Sequence, residues 1–253
     1  MSAGLRRRVF ARSLLLQGAW SFERMQNLGF LFALEPALER AHGPRRAEAA
    51  QRHLEYFNTQ PYMSGFALGA AAGMEERLSR ETDPARAAAA AERLSAVKRS
   101  LASGLAALGD RFFWGSLRPA CAAAAVAAWG ILWTLDVPFP VLAGCLLYLA
   151  LFNAAALWTR WEGLRIGFEE QESLPKALGR WPWQSGAAAL RTAGLVLVGS
   201  TALAALIVPP WGSFTPWNLA VLAACLALKA RGICAARIYA GLCALGVIIG
   251  ALT

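Results

Sequence analysis

The chain has 253 residues, 57% hydrophobic and only 16% charged, with a formal net charge of +9. Soluble globular domains carry about 25% charged residues, so the composition excludes an ordinary soluble enzyme and implies an all-α integral membrane protein. The excess positive charge does not indicate nucleic acid, because the cations flank apolar runs, as lipid-facing anchors and cytoplasmic loops do, instead of forming one basic face.

Charge is unevenly spread: 17 of the 25 basic and 11 of the 16 acidic residues fall within the first 118 positions. This divides the chain into an N-terminal region of amphipathic, re-entrant and cytoplasmic helices over 1–118 and a transmembrane helical region over 119–253. The start, with Arg6, Arg7, Arg8 and Arg12 ahead of Leu14-Leu15-Leu16, resembles a signal peptide only briefly. The apolar run is short, lacks a small-residue cleavage site and is broken by Glu23 and Arg24, so a retained basic segment is expected. Residues 12 to 38 read either as a helix along the membrane surface, with Trp20, Phe22, Met25, Leu28 and Phe30 toward the tails, or as an amphipathic helix packed on a neighbour. From Glu39 to Glu55 the chain is charged and helix-prone, which predicts a solvated cytoplasmic stretch.

Asn58-Thr59-Gln60 is then uncharged and polar, and Pro61 disfavours helix at Gln60. Residues 62–74 carry no charge but are too few for a full crossing, so a re-entrant or half-spanning helix is expected. Irregular backbone at membrane depth needs protein or a water-filled cavity to satisfy it, which makes Asn58, Thr59 and Gln60 candidates to line a polar cavity. Residues 75–99 are charged and alanine-rich and predict a soluble helical hairpin turning near Thr82-Asp83-Pro84. The segment 109–119, Gly-Asp-Arg-Phe-Phe-Trp-Gly-Ser-Leu-Arg-Pro, sits where the charged half meets the apolar half.

Apolar runs follow at about 120–135, 139–158, 186–208, 217–228 and 238–252, predicting about five transmembrane helices, the last two short or broken. With the N-terminal half in the cytoplasm, the connections 136–140 and 209–216 face outward without Lys or Arg. The basic connections 159–185 and 229–237 then face inward, as the positive-inside tendency requires. Trp158, Trp161, Trp181, Trp183, Trp211 and Trp217 fall at the expected interfaces, and Gly194, Gly199, Gly241, Gly246 and Gly250 suit close helix packing. The five cysteines lie in or beside apolar runs without paired spacing and read as small hydrophobes.

Three stretches then carry a resemblance. Ser13-Leu-Leu-Leu-Gln-Gly-Ala-Trp-Ser-Phe-Glu-Arg-Met-Gln-Asn-Leu-Gly-Phe, His53-Leu-Glu-Tyr-Phe-Asn-Thr-Gln-Pro-Tyr and the 109–119 segment are similar, in order and layout, to the signatures of the IID component of mannose/fructose/sorbose-type sugar phosphotransferase systems. The resemblance covers roughly residues 10 to 120. It implies an inner-membrane, multi-pass transport subunit that forms the sugar pathway with a IIC membrane subunit, in an oligomer of IIC–IID units. It also implies that soluble IIA and IIB partners carry the phosphoryl group, that this chain is not itself an enzyme and that it holds no phosphohistidine. Two departures stand out. Arg111 occupies a position where the family motif Gly-Asp-Pro-x-Phe-Trp-Gly has proline, and only Pro209 to Asn218 stands where members carry a longer polar connection.

A sugar presents hydroxyls that donate and accept, and an apolar ring face, so amides, carboxylates and an aromatic platform suit it. Asn58, Thr59, Gln60, Asp110 and Trp114 are therefore the candidate substrate contacts. The bland alternative is that Asn58 to Pro61 caps or breaks a helix and that Asp110 pairs with Arg111 or Arg118. Glu23 and Arg24 suit a solvated face, and His42 and His53 lack metal-ligand spacing, His53 reading as solvated or hydrogen-bonded. No catalytic residue, cofactor or metal is expected: no glycine-flanked serine elbow or P-loop is present. The rival function is a membrane scaffold or interaction protein without transport, which would tolerate alanine at 58–60.

Overall fold

The computed structural model describes residues 1–207, 216–234, 237–238 and 240–244, and they fall into two compact units, Met1–Val198 and Gly199–Thr253. Among the described residues all regular structure is helical: α1 (Ala3–Ser13), α2 (Asn27–His42), α3 (Arg46–Gln51), α4 (Ser64–Leu78), α5 (Pro84–Gly109), α6 (Arg118–Thr134), α7 (Pro140–Glu170), α8 (Leu174–Gly179), α9 (Trp183–Ile207) and α10 (Pro216–Ala230). Asp110–Leu117 is a π-helical segment that joins α5 to α6 without a break. Three stretches are long and apolar enough to cross a membrane: Pro84–Thr134, Pro140–Gly179 and Trp183–Ala204. Their apolar side chains are turned outward; Leu142, Leu146 and Leu149 on α7 and Leu195 and Val196 on α9 are all more than half exposed, as lipid- or partner-facing residues are.

The centre of the first unit is α4. Every residue from Met63 to Glu75 is buried, so the expected half-spanning segment is a helix enclosed by protein on all faces, the fate of a helix apolar all round. It packs on α7 through facing glycines. A Cβ at Gly65 would lie 2.1 Å from the Arg160 carbonyl oxygen, at Gly69 2.3 Å from that of Leu164, and at Gly167 2.1 Å from that of Phe66. The backbones are in contact, which only small residues at four-residue spacing permit. The glycines singled out from sequence behave differently: Gly194 approaches Ala120, Gly199 and Gly241 meet nothing within 4 Å, and Gly246 and Gly250 lie outside the described residues.

The N-terminal segment packs on this core. On α2, Phe30, Ala33, Leu34, Ala37 and Leu38 are buried, so α2 follows the packed-helix reading, while Trp20 and Phe22 before it and Leu28 in its first turn stay exposed. Pro36 removes the N–H that would bond the Phe32 carbonyl, and the Arg12 guanidinium donates to that oxygen instead at 3.2 Å. Arg6 ties α1 to α7 through the Trp161 carbonyl at 2.7 Å and the Glu162 carboxylate at 2.7 Å.

The hairpin turn falls as expected, with Asp83 capping α5 by accepting from Ala85 N at 2.8 Å. Its solvated character needs correction, because Glu75 and Lys98 are buried, as is Ala49 in the 39–55 stretch. The 159–185 connection is largely the C-terminal part of α7, followed by α8. In the second unit the 217–228 run forms α10, with Lys229 in its last turn; the 209–216 connection up to residue 215 and most of the 238–252 run lie outside the described residues.

Candidate functional site

The three motif segments converge. Met25 adopts φ 54, a left-handed conformation that a non-glycine residue occupies at a cost of about 1 to 3 kcal/mol. Its neighbour Gln26 is directed into the interior. There the buried Gln26 side chain donates from Nε2 to the Thr59 carbonyl at 2.9 Å and accepts from Thr59 N at 3.0 Å. Gln26 N donates to the Phe57 carbonyl at 2.8 Å, and Asn27 and Arg24 both donate to the Leu54 carbonyl. The irregular backbone of 54–60 is held at Leu54, Phe57 and Thr59 by hydrogen bonds from and to residues 24–27. Phe30 and Phe57 fill the space behind, ring centroids 4.2 Å apart.

The third motif meets the second at Gly109, where a Cβ would lie 2.6 Å from Cβ of Gln60. Beyond it the helix widens into the π-helical segment. Pro119 lies at the start of α6; its ring and missing N–H disrupt the ordinary bond to the carbonyl four residues earlier. A widened turn of this kind is one of the recurrent causes of altered helix register. Ser116 Oγ donates to the Arg111 carbonyl at 3.1 Å and accepts from Arg191 at 3.2 Å. Asp110 and Trp114, four residues apart, share one exposed side of the segment. Tyr62 lies 5.0 Å from Phe113, 5.7 Å from Trp114 and 5.4 Å from Phe152, and Trp114 stacks on Phe152 at 6.1 Å with an 18° interplanar angle.

Each candidate contact now has a place. Gln60 caps the turn into α4, its Oε1 accepting from Tyr62 N at 2.7 Å and Met63 N at 3.3 Å, as the capping alternative anticipates. Yet Gln60 Nε2 and Thr59 Oγ1 are buried without a hydrogen-bond partner. Leaving such groups unsatisfied costs about 1 to 3 kcal/mol each, a feature suited to a ligand that supplies the partners. Asn58 is half-buried at the edge. Among the described residues Asp110 makes no ion pair with Arg111 or Arg118; the Arg118 guanidinium lies 5.4 Å over the Trp114 ring instead. Thr59, Gln60 and the start of the π segment therefore sit together, with Asp110 and Trp114 opening outward from the same aromatic cluster.

Several residues were not legible as part of this arrangement. Gln26, Tyr62 and Phe152 come from separate elements. Arg160 is buried and donates to the carbonyls of Ser13 at 2.9 Å and Pro61 at 2.7 Å. With no carboxylate against it among the described residues, its charge rests on the carbonyl end of α1. A charged cluster lies under the second motif: Glu75 is fully buried and joined by Arg52 at 2.7 Å, His53 at 2.8 Å and His42 at 2.7 Å. Burial works against the ionised Glu75, but hydrogen bonds from His53 and Arg52 outweigh it and hold its pKa at about 2. Burial lowers the His53 pKa, more than the Glu75 hydrogen bond raises it, so the neutral ring donates from Nε2. Of the two readings of His53, solvated or hydrogen-bonded, the structure shows the hydrogen-bonded one; its position in a charged run concealed a core-facing side.

Residues 1–209 match the family described as PTS system mannose/fructose/sorbose family IID component. The mannose-specific EIID component of Escherichia coli (strain K12) is 38% identical over 178 residues, covering 68% of this chain and 58% of that protein. The fructose permease IID component of Bacillus subtilis (strain 168) is 37% identical over 164 residues, 63% of this chain and 54% of that one. The matched region thus spans little more than half the length of these relatives. A cryo-electron microscopy structure of the mannose transporter ManYZ in complex with a microcin shares 28% identity at a TM-score of 0.57, covering 100% of this chain and 97% of the other. A second solved structure, described as that of a membrane protein, shares 28% identity at a TM-score of 0.69, covering 99% of this chain and 97% of the other.

Proposed function

This chain belongs to the IID-component family of mannose/fructose/sorbose phosphotransferase systems, and from that premise we propose that it is the membrane subunit which builds a sugar pathway together with a IIC subunit. The IIA and IIB partners carry the phosphoryl group, and this chain performs no phosphoryl transfer. It resides in the bacterial inner membrane with residues 1–118 at the cytoplasmic side and 119–253 forming the spanning region, in an oligomer of IIC–IID units.

The observation that carries this reading is the meeting of the three motif segments around two buried, unpartnered groups, Thr59 Oγ1 and Gln60 Nε2. A sugar hydroxyl accepts from an amide and exchanges hydrogen bonds with a hydroxyl. Asp110 accepts hydroxyl protons, Trp114 covers an apolar ring face, and Asn58 supplies an amide at the edge. All five lie on or beside non-standard backbone, where transporters place their binding groups. During transport the unit moves as a rigid partner of IIC, exposing the bound sugar to one side and then the other.

The test is uptake of labelled mannose, fructose, sorbose and N-acetylhexosamines in cells lacking this chain and regaining it with its IIC, IIB and IIA partners. Restored uptake of one sugar, lost in Thr59→Val and reduced in Trp114→Ala at normal membrane abundance, supports the reading. Normal uptake in both variants would leave the scaffold alternative standing.

A further inference from the structure

A groove of about 790 Å³ runs between α5 and the α8–α9 connection, walled by Leu101, Leu105, Leu178, Trp181 and Trp183. A smaller hollow of about 260 Å³ shares Leu108, Trp183 and Gln184 with it and is bounded by Arg111 and Phe112. All of these residues belong to the first unit. The α5 wall, residues 100–109, carries no charge and follows the cations Lys98 and Arg99. The opposite wall is the start of a membrane-crossing stretch. The groove therefore lies where the protein enters the bilayer.

Among the described residues, two of its donors lack partners. Arg111 is exposed and makes no ion pair among the described residues. Trp183 Nε1 is buried with no hydrogen-bond partner, although the ring itself is fixed by stacking on Trp181 at 5.4 Å and by edge contact with Phe112 at 5.3 Å. An apolar trough ending in a guanidinium, an indole N–H and an amide matches an amphiphile whose head is an anion.

We propose that this groove holds one anionic phospholipid, its phosphate received by Arg111, Trp183 Nε1 and Gln184 and an acyl chain laid along the leucine-lined length. Arg111 stands where the resembled motif has proline. The binding is independent of which solute the protein carries.

The test is to reconstitute the full chain in nanodiscs of phosphatidylcholine with one-fifth phosphatidylglycerol, then count retained lipids by native mass spectrometry. The wild type should retain phosphatidylglycerol over phosphatidylcholine about fivefold beyond its share, the factor expected for one guanidinium at an anionic headgroup. Arg111→Gln and, separately, Trp183→Phe should lower that preference, while Arg111→Lys keeps most of it. Arg7→Gln, which removes an exposed cation of α1, should not change it. Melting temperatures in phosphatidylcholine alone identify a variant that has lost its fold, and the second variant then decides. Equal retention in wild type and in the folded variants overturns the proposal. So does an equal loss in Arg7→Gln, which would indicate diffuse charge, or displacement of the lipid by millimolar inorganic phosphate, which would indicate a free-anion site.

Discussion

At the residue scale, the same side-chain chemistry takes opposite roles according to what surrounds it. Gln26 spends its amide on backbone, Gln60 spends half of its own as a cap and leaves the other half vacant, and Asp110 makes no ion pair among the described residues. Gln26→Ala strips both hydrogen bonds from Thr59, and since each buried backbone group left open costs about 1 to 3 kcal/mol, a lower melting temperature in detergent is expected together with lost uptake. His53 sets a pH dependence. Its folded pKa lies below 6.5 because burial disfavours the charged ring, so as pH falls below about 6.5 the unfolded chain takes up a proton that the folded one refuses, and stability falls. Glu75 extends the trend, since its unfolded carboxyl protonates near 4.5 while the folded one holds out to about 2. Melting temperature measured from pH 7.5 to 4.5 should therefore drop. His53→Gln, which keeps a neutral donor near the same place, should flatten the drop near pH 6; an unchanged slope would mean that His53 titrates alike in the folded and unfolded chain.

At the scale of elements, backbone proximity decides which glycines matter. Gly69 and Gly104 are both helical, yet a Cβ at Gly69 would strike the Leu164 carbonyl while one at Gly104 meets nothing within 4 Å. Alanine at an unobstructed helix position is worth about 0.5 to 1 kcal/mol over glycine, so Gly104→Ala should raise the melting temperature slightly. Gly69→Ala forces α4 away from α7 and should reduce folded protein in the membrane, read by fluorescence-detected size exclusion. The four-residue spacing of Gly65, Gly69 and Gly73, and of Gly163 and Gly167, was present in the sequence. Glycines farther along the chain recur at four or five residues as well, and spacing alone does not say which helix lies opposite.

At the scale of the whole molecule, a charged N-terminal half and an apolar remainder imply one orientation in the bilayer. Asp136 lies in the short connection between α6 and α7, and Ser95 lies in the N-terminal half of α5, the half proposed to be cytoplasmic. In a variant without native cysteines, Asp136→Cys should react with a membrane-impermeant maleimide added to intact cells, whereas Ser95→Cys should react only after permeabilisation. The reverse pattern would invert the proposed topology.

Composition and hydropathy alone determined the class, helical and membrane-embedded, along with the hairpin turn at Asp83 and the order of the apolar runs, because these follow from transfer free energies and local backbone rules that act over a few residues. The three motifs could be read as important without revealing that they touch. Their meeting at Thr59, Gln60 and Gly109, the burial of Glu75 within a charged run and the enclosure of α4 were decided only by tertiary structure. Each depends on which segments, distant along the chain, desolvate one another, and a one-dimensional pattern of charge and hydrophobicity does not encode that choice of partner.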